Sequence, residues 1–140
     1  MKHSSHENLG YLLTRASWTW NQRLMELFRS KGFHDQKPSF GAIFIPLFDN
    51  DGLSVKEIAK LSKFTKQTAS IYIRELEGLG YVKKKQDKVD KRSVLIFLTP
   101  KGKKLRLIAN TCVAQVNAEF RKNLDPTEFR QLLVFLRKCI

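Results

Sequence analysis

The stretch DGLSVKEIAKLSKFTKQTASIYIRELEGLGYV, residues 51–82, carries two helix starts and one helix stop within a single short span. Ser54 is placed as an N-cap, with Glu57 three residues on to complete a capping box and Leu53 and Ile58 placed as a hydrophobic staple. Val55, Ile58, Ala59 and Leu61 give this first short helix an apolar side. After Ser62, Lys63 and Phe64 comes Thr65, a second N-cap, opening a helix over Lys66 to Leu79. Its inner face is Ala69, Tyr72, Ile73, Leu76 and Leu79. Its outer face is Lys66, Gln67, Ser70, Ile71, Arg74 and Glu75. Gly80 ends it. Two short helices joined by a tight turn form a helix-turn-helix.

Downstream the period changes. Tyr81 to Lys85 reads as a strand, QDKVDK at 86–91 as a polar turn, and Ser93 to Leu98 as the returning strand. Thr99-Pro100 starts a long helix to about Asn123, with Leu105, Ile108, Cys112, Val116 and Phe120 on one stripe. Asp125-Pro126-x-Glu128 starts a last helix, with Phe129, Leu132, Leu133, Leu136 and Ile140 on one side. Upstream, a first helix is expected from about Asn8 to Lys31, opened by a possible capping box at Ser4 and Glu7 and stopped at Gly32-Phe33. A second spans Ser39 to Phe48, where Pro46 is expected to kink it or to end its hydrogen bonding early.

Charge then narrows the partner. The 140 residues carry 26 Lys and Arg against 13 Asp and Glu, a net of +13. From residue 54 to residue 106 there are fifteen basic and five acidic residues, a net of +10, whereas the rest of the chain contributes only +3. A basic field concentrated on the helix-turn-helix and hairpin favours phosphate. With 42% hydrophobic residues the composition is that of a folded chain. The longest apolar runs, AIFIPLF at 42–48 and VLIFL at 94–98, are too short to span a bilayer. Met1 is followed by KHSSHEN, not by a signal-peptide core, so a cytoplasmic protein is expected. No phosphate-binding glycine loop, H-E-x-x-H, G-x-S-x-G or Cys-x-x-Cys occurs, so the reading is not an enzyme, and no cofactor or metal is expected.

Duplex DNA fits these features. Its major groove admits an α-helix. Thr65, Lys66, Gln67 and Thr68 occupy the N-terminus of the second helix, where free amides and the helix dipole favour phosphate. Gln67 has the carboxamide that bonds adenine bidentately, and Ser70 and Arg74 follow along the helix. The hairpin, with Lys83, Lys84, Lys85, Lys88, Lys91 and Arg92, reaches flanking phosphates and the minor groove. Each of these side chains has a plainer reading as solvated surface.

At DKRSVLIFLTPKG, residues 90–102, the chain resembles the MarR (multiple-antibiotic-resistance regulator) family: Asp-x-Arg-Ser, a β-rich run, then Leu-Thr-x-x-Gly. Residues 51–82 match that family's two core helices and its Leu-Glu-x-x-Gly-Tyr-Val entry to the wing, and the likeness extends over nearly the whole chain. The resemblance implies a mainly α fold with a small β-wing. One domain over 1–140 would hold a winged helix-turn-helix lobe at 36–99, flanked by dimerisation helices at 1–35 and 100–140. It implies a dimeric, sequence-specific transcriptional regulator, in the usual case a repressor, with residues 65–79 in the major groove and the wing, 81–98, in the minor groove. Arg92 becomes the wing-tip arginine, and Asp90 braces it and the turn by a charge-assisted hydrogen bond. A non-specific architectural nucleic-acid-binding protein is the alternative.

A homodimer also follows from the residues, because the terminal helices carry Trp20, Phe28, Phe120, Phe129, Leu133 and Leu136 and the winged core is too short to cover them all. Two-fold symmetry predicts a near-palindromic site on double-stranded DNA. Relatives of this kind often bind small aromatic effectors, and Arg15, Trp18 and Trp20 are candidates to line such a pocket, although a helical tryptophan is more often core. The redox-sensing subgroup keeps a cysteine in the first helix region. This chain has only Cys112 and Cys139. His3 and His6 stand at helical spacing beside Glu7 without a third partner in sequence.

Overall fold

Asn8 accepts a hydrogen bond from the Tyr11 amide and thereby opens α1, Leu9–Ser30, in the computed structural model, which describes residues 7–140. Asn8, not Ser4, holds this cap; Ser4, like His3 and His6, lies outside the described residues. The chain leaves α1 at Gly32, which has φ +92°, while the Phe33 amide bonds back to the Phe28 carbonyl. A single 3₁₀ turn, Pro38–Phe40, leads into α2, Gly41–Asp49. Pro46 does not end α2: the helix runs three residues past it, and the Asn50 amide bonds to the Pro46 carbonyl.

The Ser54–Glu57 capping box forms in full at the start of α3, Val55–Ser62, and its staple residues Leu53 and Ile58 are buried. Leu61 corrects the sequence reading. It is exposed, because α3 turns only its Ile58–Ala59 side to the core. Helix α4, Lys66–Gly78, follows the turn and buries Ala69, Ile73 and Leu76. Gly80, at φ +85°, turns the chain into β2, Val82–Gln86, which pairs antiparallel with β3, Val94–Leu98, in the register Val82↔Leu98 to Gln86↔Val94. A further strand, β1, Leu53–Ser54, pairs with the other edge of β3, giving a three-stranded sheet in the order β1-β3-β2. The hairpin is thus anchored to the start of α3.

Thr99 caps α5, Pro100–Arg121, with Pro100 at its first position. Gly102 is required there by space: a Cβ would stand 2.3 Å from the Tyr81 carbonyl oxygen, so this turn of α5 sits directly on the strand entry. Asp125 and Glu128 form a second full capping box at α6, Pro126–Cys139. Helices α1 and α5 are tied by the bidentate Arg23–Glu119 pair, at 2.8 and 2.9 Å, and by Trp20 Nε1 donating to Asn117 Oδ1 at 3.0 Å. The core joins α1 from Leu24 to Phe28, α2, the helix-turn-helix, the sheet and the stripe Leu105, Ala109, Cys112 and Val116 of α5. Helix α6 contributes no buried residue. No helix among the described residues is long and apolar enough to cross a membrane.

Candidate nucleic-acid interface

The α3–α4 turn is made by Lys63 in the left-handed region, φ +58°, and by the Phe64 ring, which packs 5.6 Å from Tyr72. This fixes where α4 begins. Thr65 Oγ1 accepts from the Thr68 amide at 3.1 Å and donates to Thr68 Oγ1 at 2.9 Å. Ser70 donates to the Lys66 carbonyl at 2.8 Å. Three of the six hydroxyl or polar residues expected to face DNA therefore spend hydrogen bonds on building the helix start. Lys66, Gln67 and Arg74 are exposed on the outer face, and no hydrogen bond or ion pair within the described residues holds their side chains.

The acidic residues of α4 are answered from neighbouring elements. Glu75 pairs with Lys37 of the α1–α2 connection, and Glu77 with Lys84 of β2 at 3.7 Å. Such exposed pairs contribute little to stability. Their consequence here is electrostatic, since they offset the two carboxylates nearest along the chain to the exposed Arg74.

The wing tip is built by main-chain bonds. The Asp87 amide donates to the Ser93 carbonyl at 2.9 Å, the Gln86 carboxamide to the Lys91 carbonyl at 2.6 Å, and the Val89 amide to Asp87 Oδ1 at 3.0 Å. Asp90 accepts from the Arg92 amide at 3.1 Å, and its own carbonyl accepts from the Ser93 amide at 3.0 Å. The expected brace is thus corrected in kind. Asp90 holds the backbone at Arg92, while the guanidinium itself is exposed and makes no ion pair within the described residues. Lys88, Val89 and Lys91 are exposed beside it.

Two features connect this surface to the helices behind it. Tyr81, buried at the strand entry, donates its hydroxyl to Asp35 Oδ1 at 2.5 Å; Lys101 lies 4.3 Å from the Tyr81 ring centre, 3.6 Å from Asp35, and donates to the Leu79 carbonyl. Burial and the Asp35 carboxylate push the Tyr81 hydroxyl well above its usual range. Burial raises Asp35, yet the Tyr81 hydroxyl and the Lys101 charge outweigh it and leave that carboxyl below its usual range. Beside this knot lies an apolar cavity of about 360 Å³ between α1, α2 and α5, walled by Trp20, Met25, Phe44, Ala109 and Val113 among others, with Gln36 and Lys37 at its mouth. The Gln36 amide nitrogen is buried, and the Gln36 side chain acts on the Tyr81 hydroxyl, pulling it down against the larger effect of burial.

Of the three residues expected at an effector pocket, only Trp20 lines this cavity. Trp18 faces a separate, more open groove, with the Arg15 guanidinium 5.5 Å from its ring centre. Cys112 is buried in the α1–α5 seam, which pushes its thiol up and makes it a poor nucleophile.

A sequence model of the MarR family matches residues 48–93, which hold the helix-turn-helix, strand β2 and the wing turn but not strand β3. Over that stretch, about a third of its length, the chain is similar to the MarR family. Among curated relatives, the transcriptional regulator TtmR of Methylorubrum extorquens is 38% identical over 64 residues, which cover 46% of this chain and 33% of that one. The chain thus matches about a third of that relative's length. The transcriptional regulator HosA of Escherichia coli is 23% identical over 140 residues, covering 100% of this chain and 97% of its own. BpsR of Bordetella bronchiseptica, solved to explain regulation of its DNA binding by 6-hydroxynicotinic acid, superposes with a TM-score of 0.82 at 22% identity, over 99% of this chain and 97% of that one. A variant of E. coli MarR complexed with operator DNA gives 0.81 at 22% identity, over 94% and 93%. At such identity these two structures establish the shared fold.

Sequence reading missed the Asp35–Tyr81–Lys101 knot and the Lys37–Glu75 pair. Their members lie 38 or more residues apart for the side-chain pairs Lys37–Glu75 and Tyr81–Asp35, and no local spacing announces them.

Proposed function

We propose that this protein is a dimeric, sequence-specific DNA-binding transcriptional regulator that represses by occupying its site. Residues 36–99 act as the DNA-binding lobe, and 1–35 with 100–140 as the dimerisation helices. Helix α4 enters the major groove, where Gln67 and Arg74 read base edges and Lys66 meets phosphate; Thr65, Thr68 and Ser70 set the pose of the helix start. The wing enters the minor groove through Arg92, with Lys88 and Lys91 on flanking phosphates and Asp90 fixing the backbone from which Arg92 springs. The observation that carries this reading is that Lys66 and Arg74 on the outer face of α4 and Lys88, Lys91 and Arg92 at the wing tip are all exposed and outside the ion pairs of the described residues, while the nearby Glu75 and Glu77 are paired. Such a regulator is not an enzyme and works in the cytoplasm, with the DNA.

A small aromatic effector is assigned to the cavity beside Trp20. Its apolar walls suit a ring. Arg15 and Trp18 are left out of that assignment.

The test is selection of binding sites from a random duplex pool, followed by affinity measured against salt. An enriched inverted repeat is expected, with half-sites about one helical turn apart and affinity falling steeply with salt. Arg92→Ala should lose ~1–3 kcal/mol per subunit without unfolding the chain. A pool that yields no enriched repeat returns the architectural alternative, and unchanged affinity in Arg92→Ala removes the wing's role.

A further inference from the structure

The outer face of α4 holds one residue that phosphate recognition does not explain. Ile71 is 54% exposed at the middle of the basic face. At 3.6 residues per turn it stands at least about 140° round the helix from each of the buried residues Ala69, Ile73 and Leu76. Its helix neighbours at three and four residues are Gln67, Thr68, Arg74 and Glu75, all polar, so it has no apolar side chain to pack with along its own helix. A β-branched side chain is also a costlier choice for an exposed helix position than the lysines and glutamates nearby. Gln67 lies one turn before it and Arg74 just under one turn after it, which makes Ile71 the centre of the row facing outward.

We propose that Ile71 is a specificity-determining residue that reads the 5-methyl group of a thymine in each half-site. This rests on the DNA-binding function proposed above. The base edges in the major groove present amino groups, carbonyls and ring nitrogens, and their one methyl group is that of thymine. A branched hydrocarbon flanked by a carboxamide and a guanidinium therefore has a single matching partner there. Cytosine carries a hydrogen at C5 in place of the methyl, so the same side chain loses that apolar contact there. Ile71 thus adds a thymine preference beside the bases that Gln67 and Arg74 contact.

The experiment starts from the inverted repeat selected by the wild-type chain. Each thymine of a half-site is replaced in turn by deoxyuridine, which removes only the methyl group, and affinity is measured by fluorescence anisotropy for wild type, Ile71→Ala and Ile71→Val. One position is expected at which the wild type loses about fourfold, the worth of one buried methyl. Ile71→Ala should be indifferent to that change while binding the thymine duplex about as weakly as the wild type binds the uracil one, and Ile71→Val should keep most of the preference. A flat deoxyuridine scan in the wild type, or an equal loss in Ile71→Ala, overturns the role of Ile71 and leaves the DNA-binding function standing. A pool that yields no selected sequence overturns both.

Discussion

Helix α4 buries Ala69, Ile73 and Leu76 against its own chain, while α6, capped at least as well, buries nothing. Both are amphipathic, and α6 has the fuller cap, with Asp125 and Glu128 satisfying each other's amides. What differs is the cover. The apolar side of α4 meets α2, α3 and the sheet, whereas Leu132, Leu133, Val134, Phe135 and Leu136 of α6 all face outward. Helix α1 repeats the contrast along its own length: Leu24, Met25, Leu27 and Phe28 are core, and Leu9, Leu12 and Leu13 are exposed. An amphipathic pattern records that a face needs covering and says nothing about what covers it. Exposed apolar surface concentrated on the start of α1 and on α6, outside the core that joins the lobe to the rest of α1 and to α5, is what a second copy of the chain would bury.

The strongest way to break this contrast is to charge the uncovered face. Leu133→Asp with Leu136→Asp should leave the lobe folded, since neither residue touches its core, and should make the chain monomeric in analytical ultracentrifugation. Affinity for an inverted repeat should then fall by about two orders of magnitude or more, because the second half-site is no longer tethered to the first. A double variant that stays dimeric would show that α6 is not the contact between subunits.

The seam between the two regions offers a sharper test. The Tyr81–Asp35 bond links the α1–α2 connection to the strand entry, and Lys101 brings in the start of α5. The folded chain holds Asp35 below its usual range, so this contribution is present at neutral pH and is lost as pH falls through the carboxylate range. It holds Tyr81 above its usual range, so that contribution is complete below pH ~10 and is lost as pH rises beyond the tyrosine value. Tyr81→Phe should cost about 1.5–3 kcal/mol in urea unfolding at pH 7 and flatten the alkaline decline. Asp35→Asn should flatten the acid decline. Unaltered pH profiles in both variants would mean that the knot does not link the regions.

Much of the lobe was legible because its signals are local. The Ser54 and Asp125 capping boxes, the Thr99-Pro100 start and the Gly32 and Gly80 stops each involve residues within five positions of one another. Strand β1 was not legible, since two residues carry no alternation, and it exists only because β3 offers an edge. The Asp90 brace was legible as to residue and not as to partner: a carboxylate two positions before an amide reaches it more readily than it reaches the end of a long guanidinium. The effector trio failed for a reason visible in the spacing itself. Trp18 and Trp20, two apart on a helix, point to nearly opposite sides, so one pocket could not hold both. Ile71 was legible as an apolar member of the outer face of α4, and its exposure in the folded chain is what singles it out.

The smallest expected effect separates backbone cost from charge at the α3–α4 turn. Lys63 is the one non-glycine residue with positive φ among those described, at +58°, and its side chain is exposed next to the start of α4. A lysine in that conformation carries a backbone penalty that glycine does not, partly offset by the greater freedom glycine has when unfolded. Lys63→Gly should therefore stabilise the chain by about 0.5–1 kcal/mol in chemical denaturation. If the turn lies against phosphate, the same variant should bind DNA more weakly and with a salt dependence reduced by about one ion. Lys63→Asn separates the two effects, because asparagine tolerates the left-handed region yet lacks the charge: it should share the loss of affinity and gain less stability. Unchanged affinity in both variants would put Lys63 outside the DNA footprint and confine the interface to the outer face of α4 and the wing.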